Sequence, residues 1–317
     1  MRPKVVMQFE LRMGAADRLR EVAEVIVDPN LDHLEGATVF IPGSAQCNAE
    51  LMERAGPSLK MIARTGIGLD NVDIPAATEH NVLVVHTPDA PTESTAEHAV
   101  ALLMAVAKRV MVGDMYLRGN KDIERGDMLG TELLNRSLGV VGYGRIGRRV
   151  AEICALGLKM DVTVYDPYID LSQETPEGIT LTDDLDGLLA KSRFVTLHTP
   201  LMPATRHLIS EREFGLMPSG SYLVNASRGP VVDEPALIKA LQTGHLAGAG
   251  LDVFDPEPPL ADNPLLKMTN VVLTPHIASG TDQGVYDMMH GAADQIIRYL
   301  TKGERPISLA NPDAWQE

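Results

Sequence analysis

Cysteine is nearly absent. Cys47 and Cys154 are the only two in 317 residues, so a disulfide framework is excluded and a reducing compartment is expected. Positive charge is in deficit, with 28 Lys and Arg against 43 Asp and Glu and a net charge of −15. That balance argues against nucleic acid or an anionic membrane as partner, since either wants a basic face. It leaves a small anion open, because one local arginine outweighs the global field at contact distance. Long apolar runs are missing too. The opening MRPKVVMQFELR has no apolar core of signal-peptide length, and no run reaches membrane-spanning length. A cytoplasmic protein is expected. Neither repeats nor low-complexity tracts occur.

What is present is the profile of a globular protein long enough for two domains, 44% hydrophobic and 22% charged. Short β-rich runs alternate with helical patterns, as in βαβ units around a parallel sheet. The first strands are expected at Lys4–Gln8, Glu24–Asp28, Thr38–Pro42, Met61–Arg64 and Leu83–His86. The alanine-rich segment Ser94–Val112 opens with Ser94 and Glu97 in capping-box spacing and predicts one long helix joining two lobes. A second strand series follows at Ser137–Val141, Asp161–Tyr165, Phe194–His198, Ser221–Asn225, Ala247–Leu251 and Val271–Thr274, then a helix over 282–300. The simplest layout is discontinuous: residues 1–98 and 282–317 form one domain, and 99–281 are inserted as another.

LGVVGYGRIGRRVAEICALG contains Gly142-x-Gly144-x-x-Gly147, with a buried-strand run before it and a helical pattern after it. The next strand ends at Asp166, nineteen residues beyond Gly147. These are the parts of a dinucleotide-binding turn. Gly142 permits the tight turn, Gly144 admits a pyrophosphate against the backbone, and Gly147 allows close packing of helix on strand. The helix N-terminus supplies amide donors. Asp166 would accept from the adenosine ribose hydroxyls and repel a 2′-phosphate, which favours NAD over NADP.

Three further stretches follow strands: SYLVNASRGPVVDEPAL with Arg228, LDVFDPEPP with Asp252 and Glu257, and VLTPHIASG with His276. Strand C-terminal ends share one edge of a parallel sheet, and ligands bind there. Taken singly, a histidine at a strand end is more often structural than catalytic. Taken together, the types suit reduction of a 2-keto acid. Arginine forks onto carboxylate and carbonyl oxygens, histidine exchanges a proton near neutral pH, and a glutamate beside it favours imidazolium.

At this point the chain resembles the D-isomer-specific 2-hydroxyacid dehydrogenase family. The residues carrying the resemblance are RTGIGLDNVD (64–73), STAEHAVAL (94–102), LGVVGYGRIG (138–147), LHTPLMPATRHLI (197–209), VNASRGPVVDE (224–234), LDVFDPEPP (251–259) and TPHIASGT (274–281), in the family's order. The resemblance implies two flavodoxin-like and Rossmann-like α/β domains with parallel sheets, a substrate-binding domain into which the NAD-binding domain is inserted, an active site in the cleft and a homodimer. It implies Arg228, Glu257 and His276 as the catalytic set and Asp252 at the nicotinamide end. Thr95, Arg145, Ile146, Thr199 and Ala226 become cofactor contacts, with His276 also facing the cofactor, and Ile67 and Gly68 become backbone donors to the substrate carboxylate. No metal is expected. His86, His98 and His198 are expected to be structural, His198 lying near the cofactor.

Departures from the family pattern bear on specificity. The aromatic residue often found before the GTEL segment is missing from GNKDIERGDMLGTEL, since Trp315 is the only tryptophan. The loop IPGSAQCNAEL around Ser44 is expected to influence substrate choice without matching a decodable pattern. The expected activity is NAD-dependent hydride transfer at C2 of a small D-2-hydroxy acid or 2-keto acid. Glu257 weakens a formate dehydrogenase-like reading, and the absence of lysine from RTGIGLDNVD weakens a phosphite dehydrogenase-like one. Phosphoglycerate dehydrogenase-like and glyoxylate/hydroxypyruvate reductase-like roles both remain, and with the chain ending at Glu317 no C-terminal regulatory domain is expected. The rival of a different class is an NADH-sensing, corepressor-like binding protein.

Overall fold

The computed structural model describes residues 2–119 and 123–316. Two compact units divide the chain: Met1–Thr92 with Gly280–Glu317, and Glu93–Ser279.

The first unit begins with β1 (Lys4–Met7), α1 (Ala15–Val22), β2 (Glu24–Val27), β3 (Val39–Ile41), α2 (Ala49–Ala55), β4 (Met61–Ala63), α3 (Ile74–Glu79) and β5 (Leu83–Val85). VFI, MIA and LVV in β3, β4 and β5 are buried throughout, as expected of strands covered on both faces. The sheet is all parallel in the order β2-β1-β3-β4-β5, the flavodoxin-like doubly wound arrangement. Its helices start where the sequence supplies caps. The Asn48 side chain accepts from the Leu51 N–H at 3.0 Å and the Asp73 side chain from the Ala76 N–H at 3.0 Å.

The second unit runs α4 (Thr92–Ala107), α5 (Val110–Leu117), β6 (Ser137–Val141), α6 (Arg145–Glu152), β7 (Asp161–Tyr165), β8 (Ile179–Thr182), α7 (Leu185–Lys191), β9 (Phe194–Leu197), α8 (Glu211–Leu216), β10 (Ser221–Asn225), α9 (Glu234–Gln242), β11 (Leu246–Leu251) and β12 (Val271–Leu273). Its seven strands are all parallel in the order β12-β11-β10-β9-β6-β7-β8. The six from β11 to β8 carry the Rossmann order, and β12 adds a seventh. One side layer packs Leu102, Val106, Val150 and Cys154 against Val140, Val162 and Val164. The other packs Leu188, Leu237 and Leu241 against Val141, Leu197 and Leu223.

Two local expectations change. The single helix expected over Ser94–Val112 is two. α4 starts at Thr92, which places Ser94 and Glu97 inside the helix instead of at its cap. It stops at Ala107 because the Ala107 carbonyl accepts from the Thr131 N–H at 2.7 Å, and Arg109 turns left-handed at φ 57° before α5. β8 was not anticipated. Its ITLT run is half exposed at the sheet edge and lacks the apolar density of its neighbours.

Beyond Gly280 the chain is again part of the first unit. α10 (Asp282–Lys302) is capped by Thr281 and ends at Gly303, whose φ of 64° suits glycine. Its Ala293 and Ile296 pack with Val5, Met7 and Leu19. Cys47 and Cys154 are both free and buried, and burial pushes each thiol up to about 12. Among the described residues no helix is long and apolar enough to cross a membrane.

Candidate active site

Strand register sets the site of the second unit. Tyr165 pairs with Val141, Val141 with Leu197, Leu197 with Asn225, Asn225 with Leu251, and Leu251 with Leu273. These residues form one row across six strands. The next residue on each strand is therefore Asp166, Gly142, His198, Ala226, Asp252 or Thr274. The sheet order reverses between β6 and β9, so the glycine loop and Thr199 flank the switch point.

The three glycines meet three different demands. Gly142 has a φ of 102°, and a Cβ there would lie 2.6 Å from the His198 carbonyl oxygen. A Cβ on Gly147 would lie 2.0 Å from the Gly142 carbonyl oxygen, so helix and turn close only over glycine. A Cβ on Gly144 would meet nothing within 4 Å, which leaves this exposed backbone open to a ligand. Asp166 closes the loop from β7, its Oδ2 accepting from the Tyr143 N–H at 2.9 Å and its Oδ1 from the Tyr168 N–H at 2.9 Å. Arg148 donates to the Tyr143 carbonyl at 3.0 Å and stacks 4.2 Å above its ring. Arg145 and Ile146 open α6, and Ile146 packs on the core. Thr95 on α4 and Ala226 after β10 are buried.

Two buried atoms at the end of β9, Thr199 Oγ1 and His198 Nδ1, have no hydrogen-bond partner among the described residues. A buried hydroxyl without a partner costs free energy unless a ligand or water satisfies it. Open backbone at Gly144, an acceptor at Asp166 and an unsatisfied Thr199 fit a dinucleotide. Burial also lowers His198 to about 4, so it is neutral near pH 7.

On the other half of the edge, Arg228 and His276 each sit on a loop tied down by a buried polar residue. Asn225 is 1% exposed. Its Oδ1 accepts from the Ser227 N–H at 3.0 Å and the Ser227 hydroxyl at 2.8 Å, and its Nδ2 donates to the Arg228 carbonyl at 2.9 Å. Asp252 is 0% exposed, and its backbone N–H donates to the Asn225 carbonyl at 2.9 Å. Its carboxylate accepts from Ile277 N–H and Ala278 N–H, each at 2.9 Å, and from the Thr274 hydroxyl at 2.5 Å. Its carbonyl accepts from the His276 N–H at 2.8 Å. Gly229 joins the two loops, since a Cβ there would lie 1.8 Å from the Phe254 carbonyl oxygen.

His276 Nδ1 contacts Glu257 Oε1, and the His276 ring is about half exposed. Burial works to raise the Glu257 carboxyl. The hydrogen bond and charge of His276 outweigh it, helped by the Phe254 N–H and the charge of Arg228, so Glu257 titrates below its ordinary value. His276 thus contacts Glu257, the charge of Arg228 reaches the same carboxyl, and Asp252 holds the backbone of the His276 loop.

In the first unit, Ile67 and Gly68 follow β4, and the loop is fastened on both sides. Arg64 Nε donates to the Gly68 carbonyl at 3.2 Å, and its Nη1 donates to the carbonyls of Pro42 at 3.1 Å and Gly43 at 2.8 Å. The Thr87 hydroxyl accepts from the Gly66 N–H at 2.7 Å. Gln8 Oε1 accepts from the N–H groups of Gly43 at 2.8 Å and Ala45 at 3.0 Å, which fixes the turn through Ser44.

Sequence reasoning missed Gln8, Arg64, Gly229 and the clamp role of Asp252. Gln8 carries no local signal, since it becomes informative only once β1 and β3 are known to be neighbours. Gly229 lies inside a quoted motif, and its glycine was the available signal.

Residues 100–278 match the model of the D-isomer specific 2-hydroxyacid dehydrogenase NAD binding domain. A glyoxylate reductase of Korarchaeum cryptofilum is 43% identical over 269 residues, covering 84% of this chain and 80% of that protein. A D-3-phosphoglycerate dehydrogenase of Archaeoglobus fulgidus is 41% identical over 265 residues, covering 84% of this chain and 49% of that protein. The chain spans only about half the length of several such phosphoglycerate dehydrogenase relatives. A crystal structure of a protein from Thermus thermophilus superposes with a TM-score of 0.87 at 38% identity, covering 97% of this chain and 99% of that one.

Proposed function

Because the chain belongs to the D-isomer specific 2-hydroxyacid dehydrogenase family, we propose that it is an NAD-dependent oxidoreductase interconverting a small D-2-hydroxy acid and its 2-keto acid. The observation that carries this reading is the His276–Glu257 contact, under the charge of Arg228, on the same sheet edge as the Gly142 loop. Residues 99–281 hold the cofactor, and 1–98 with 282–317 bind substrate.

Gly142, Gly144 and Gly147 shape the pyrophosphate turn, Arg145 and Ile146 open the helix behind it, and Asp166 takes the ribose hydroxyls. Thr95, Thr199, Ala226 and Asp252 complete the cofactor contacts. When bound, the nicotinamide supplies or accepts the hydride at substrate C2. In reduction, His276 gives its proton to the substrate carbonyl oxygen, and in oxidation it takes that proton back. Glu257 holds the ring by Nδ1, which orients Nε2 for the transfer and stabilises imidazolium. Arg228 forks onto the carboxylate and the carbonyl oxygen, where negative charge grows. The Ile67 and Gly68 amides grip the carboxylate, and glycine at 68 keeps the approach open.

Asp166 supports NAD over NADP by repelling a 2′-phosphate. The relatives include both glyoxylate reductases and D-3-phosphoglycerate dehydrogenases, so the substrate class is a short 2-hydroxy acid, phosphorylated or not. α5 and the segment after it expose Val110, Met111, Tyr116, Leu117, Leu129 and Leu134, a surface suited to a second copy of the chain. A homodimer in sedimentation experiments would agree, and a monomer would remove that part of the reading.

The deciding experiment is NADH oxidation with glyoxylate, hydroxypyruvate and phosphohydroxypyruvate. Turnover with one of them, lowered about 10²- to 10⁴-fold in His276→Ala, is expected. Tight NADH binding without turnover on the panel would favour a non-enzymatic NADH sensor instead.

A further inference from the structure

We infer that His98 is a positioning residue for His276, acting through a one-way chain of hydrogen bonds from His98 Nε2–H to the Thr274 hydroxyl to the Asp252 carboxylate. The inference rests on reading His276 as the proton-transfer group.

His98 Nε2 lies 2.9 Å from Thr274 Oγ1 and 3.4 Å from Asp252 Oδ1. Thr274 Oγ1 lies 2.5 Å from Asp252 Oδ1. The direction follows from a proton count. An ionised carboxylate has only lone pairs to offer, so Thr274 gives its single hydroxyl proton to Asp252. Thr274 then has only lone pairs for His98, which must carry its proton on Nε2. The sequence alone suggests a structural histidine in the alanine-rich helix. The geometry gives it a defined tautomer and a defined target.

That target is the backbone that carries His276. The Asp252 carboxylate holds Ile277 and Ala278 by their N–H groups at 2.9 Å, and the Asp252 carbonyl holds the His276 N–H at 2.8 Å. Between these anchors His276 adopts a φ of 53°, a left-handed conformation uncommon for a residue that carries a side chain. Such a conformation persists only where its surroundings over-determine it. Thr274 and Asp252 supply that constraint, and His98 fixes the rotamer of Thr274 from α4. Ala96 and Ala99, on either side of His98, are 0% and 1% exposed, so the helix offers a rigid mount.

Loss of His98 frees the Thr274 hydroxyl to turn away and loosens the loop. The imidazole then misses its transfer geometry, while the glycine loop, on other strands, keeps its shape. The Asp252 carboxylate keeps its two backbone N–H partners, so its place beside the cofactor holds, and the consequence falls on kcat with little change in KM for NADH.

The test compares His98→Leu, His98→Gln, Thr274→Val, Thr274→Ser and the double variant His98→Leu with Thr274→Val in 2-keto acid reduction. His98→Leu and Thr274→Val should each lower kcat about 10- to 100-fold, as small misplacements of a reacting group do, with KM for NADH within about twofold. His98→Gln and Thr274→Ser keep the needed N–H and O–H and should retain most of kcat. The double variant should be no worse than the Thr274→Val single, because both changes break one chain. Normal kcat in His98→Leu, no rescue by His98→Gln, or multiplying losses would each overturn the inference. If His98→Leu does not fold, the loss in the isosteric Thr274→Val, its recovery in Thr274→Ser and the tautomer of His98 decide together. Wild-type inactivity on the whole panel would refute the oxidoreductase reading itself, and with it this role. The imidazole ¹⁵N shifts of His98 read the tautomer regardless of activity, with Nε2–H expected and Nδ1–H overturning the chain.

Discussion

Glu257 Oε1 meets His276 Nδ1 directly, so the imidazole is held through that one nitrogen. Glu257 is held below its ordinary 4.5 against the opposing effect of burial. For a carboxyl shifted down, the charged form persists above that ordinary value and is lost only as pH falls through the lowered one. Reduction measured from pH 7 to pH 5 should therefore show no falling limb from this group. Glu257→Gln keeps a polar contact but removes the charge. It should lower kcat about 10- to 100-fold at pH 7 with little change in KM for NADH. An unaltered kcat would show that the contact does not support proton transfer.

On the proposed reading, cofactor choice turns on Asp166. Its two oxygens already accept from the Tyr143 and Tyr168 N–H groups, so Asp166→Asn is the informative change. It keeps an acceptor for one amide and removes the charge that would repel a 2′-phosphate. The ratio of kcat/KM for NADPH to that for NADH should rise about 10-fold, the effect of ~1.4 kcal/mol. A ratio that stays constant would remove Asp166 from the discrimination.

The fold and the candidate site were legible in the sequence to different depths. The Rossmann half was readable nearly to the residue, because parallel strands buried on both faces are dense in Val, Ile and Leu and end in glycine or polar residues. The expected Ser137–Val141 and Asp161–Tyr165 coincide with β6 and β7. β8 was not legible, because a half-exposed edge strand loses the apolar density that marks its neighbours. The break at Arg109 was not legible either, since it depends on Thr131 taking the Ala107 carbonyl from far along the chain. The same holds for the site. Arg228, Glu257 and His276 announce themselves by type and place. Asn225 and Asp252 hold their neighbours through contacts that the sheet register brings about, and His98 meets Thr274 only because α4 packs on that sheet.

The glycine loop separates folding from binding. Gly147→Ala puts a methyl group 2.0 Å from the Gly142 carbonyl oxygen and must push helix from turn. It should destabilise the fold by about 1–3 kcal/mol. Gly144→Ala meets nothing within 4 Å and should leave Tm within about 2 °C of wild type. It should still weaken NADH binding about 10-fold or more, because the new methyl group would occupy the space proposed for the pyrophosphate. Calorimetry and NADH titration of the two variants would check the pair, and normal NADH affinity in Gly144→Ala would place the pyrophosphate elsewhere.

His198 links acid stability to the same loop. Its ring is lowered by burial to about 4 from an ordinary 6.5, and Nε2 bonds Thr196 Oγ1 at 2.9 Å. Between those values the unfolded chain binds a proton that the folded chain refuses. Stability from this group is therefore fully present above pH 6.5 and is lost as pH falls toward 4. The slope is about 1.4 kcal/mol per pH unit, and the total is on the order of 3 kcal/mol. Carboxylates titrate over part of the same range, so the readout is a difference between two proteins. In urea unfolding at pH 7, 6, 5 and 4.5, His198→Gln should be the less stable protein at pH 7 through imperfect packing. It should close that gap progressively as pH falls, because glutamine binds no proton in the unfolded state. Parallel curves for the two proteins would mean that His198 ionises as readily in the fold as in the open chain.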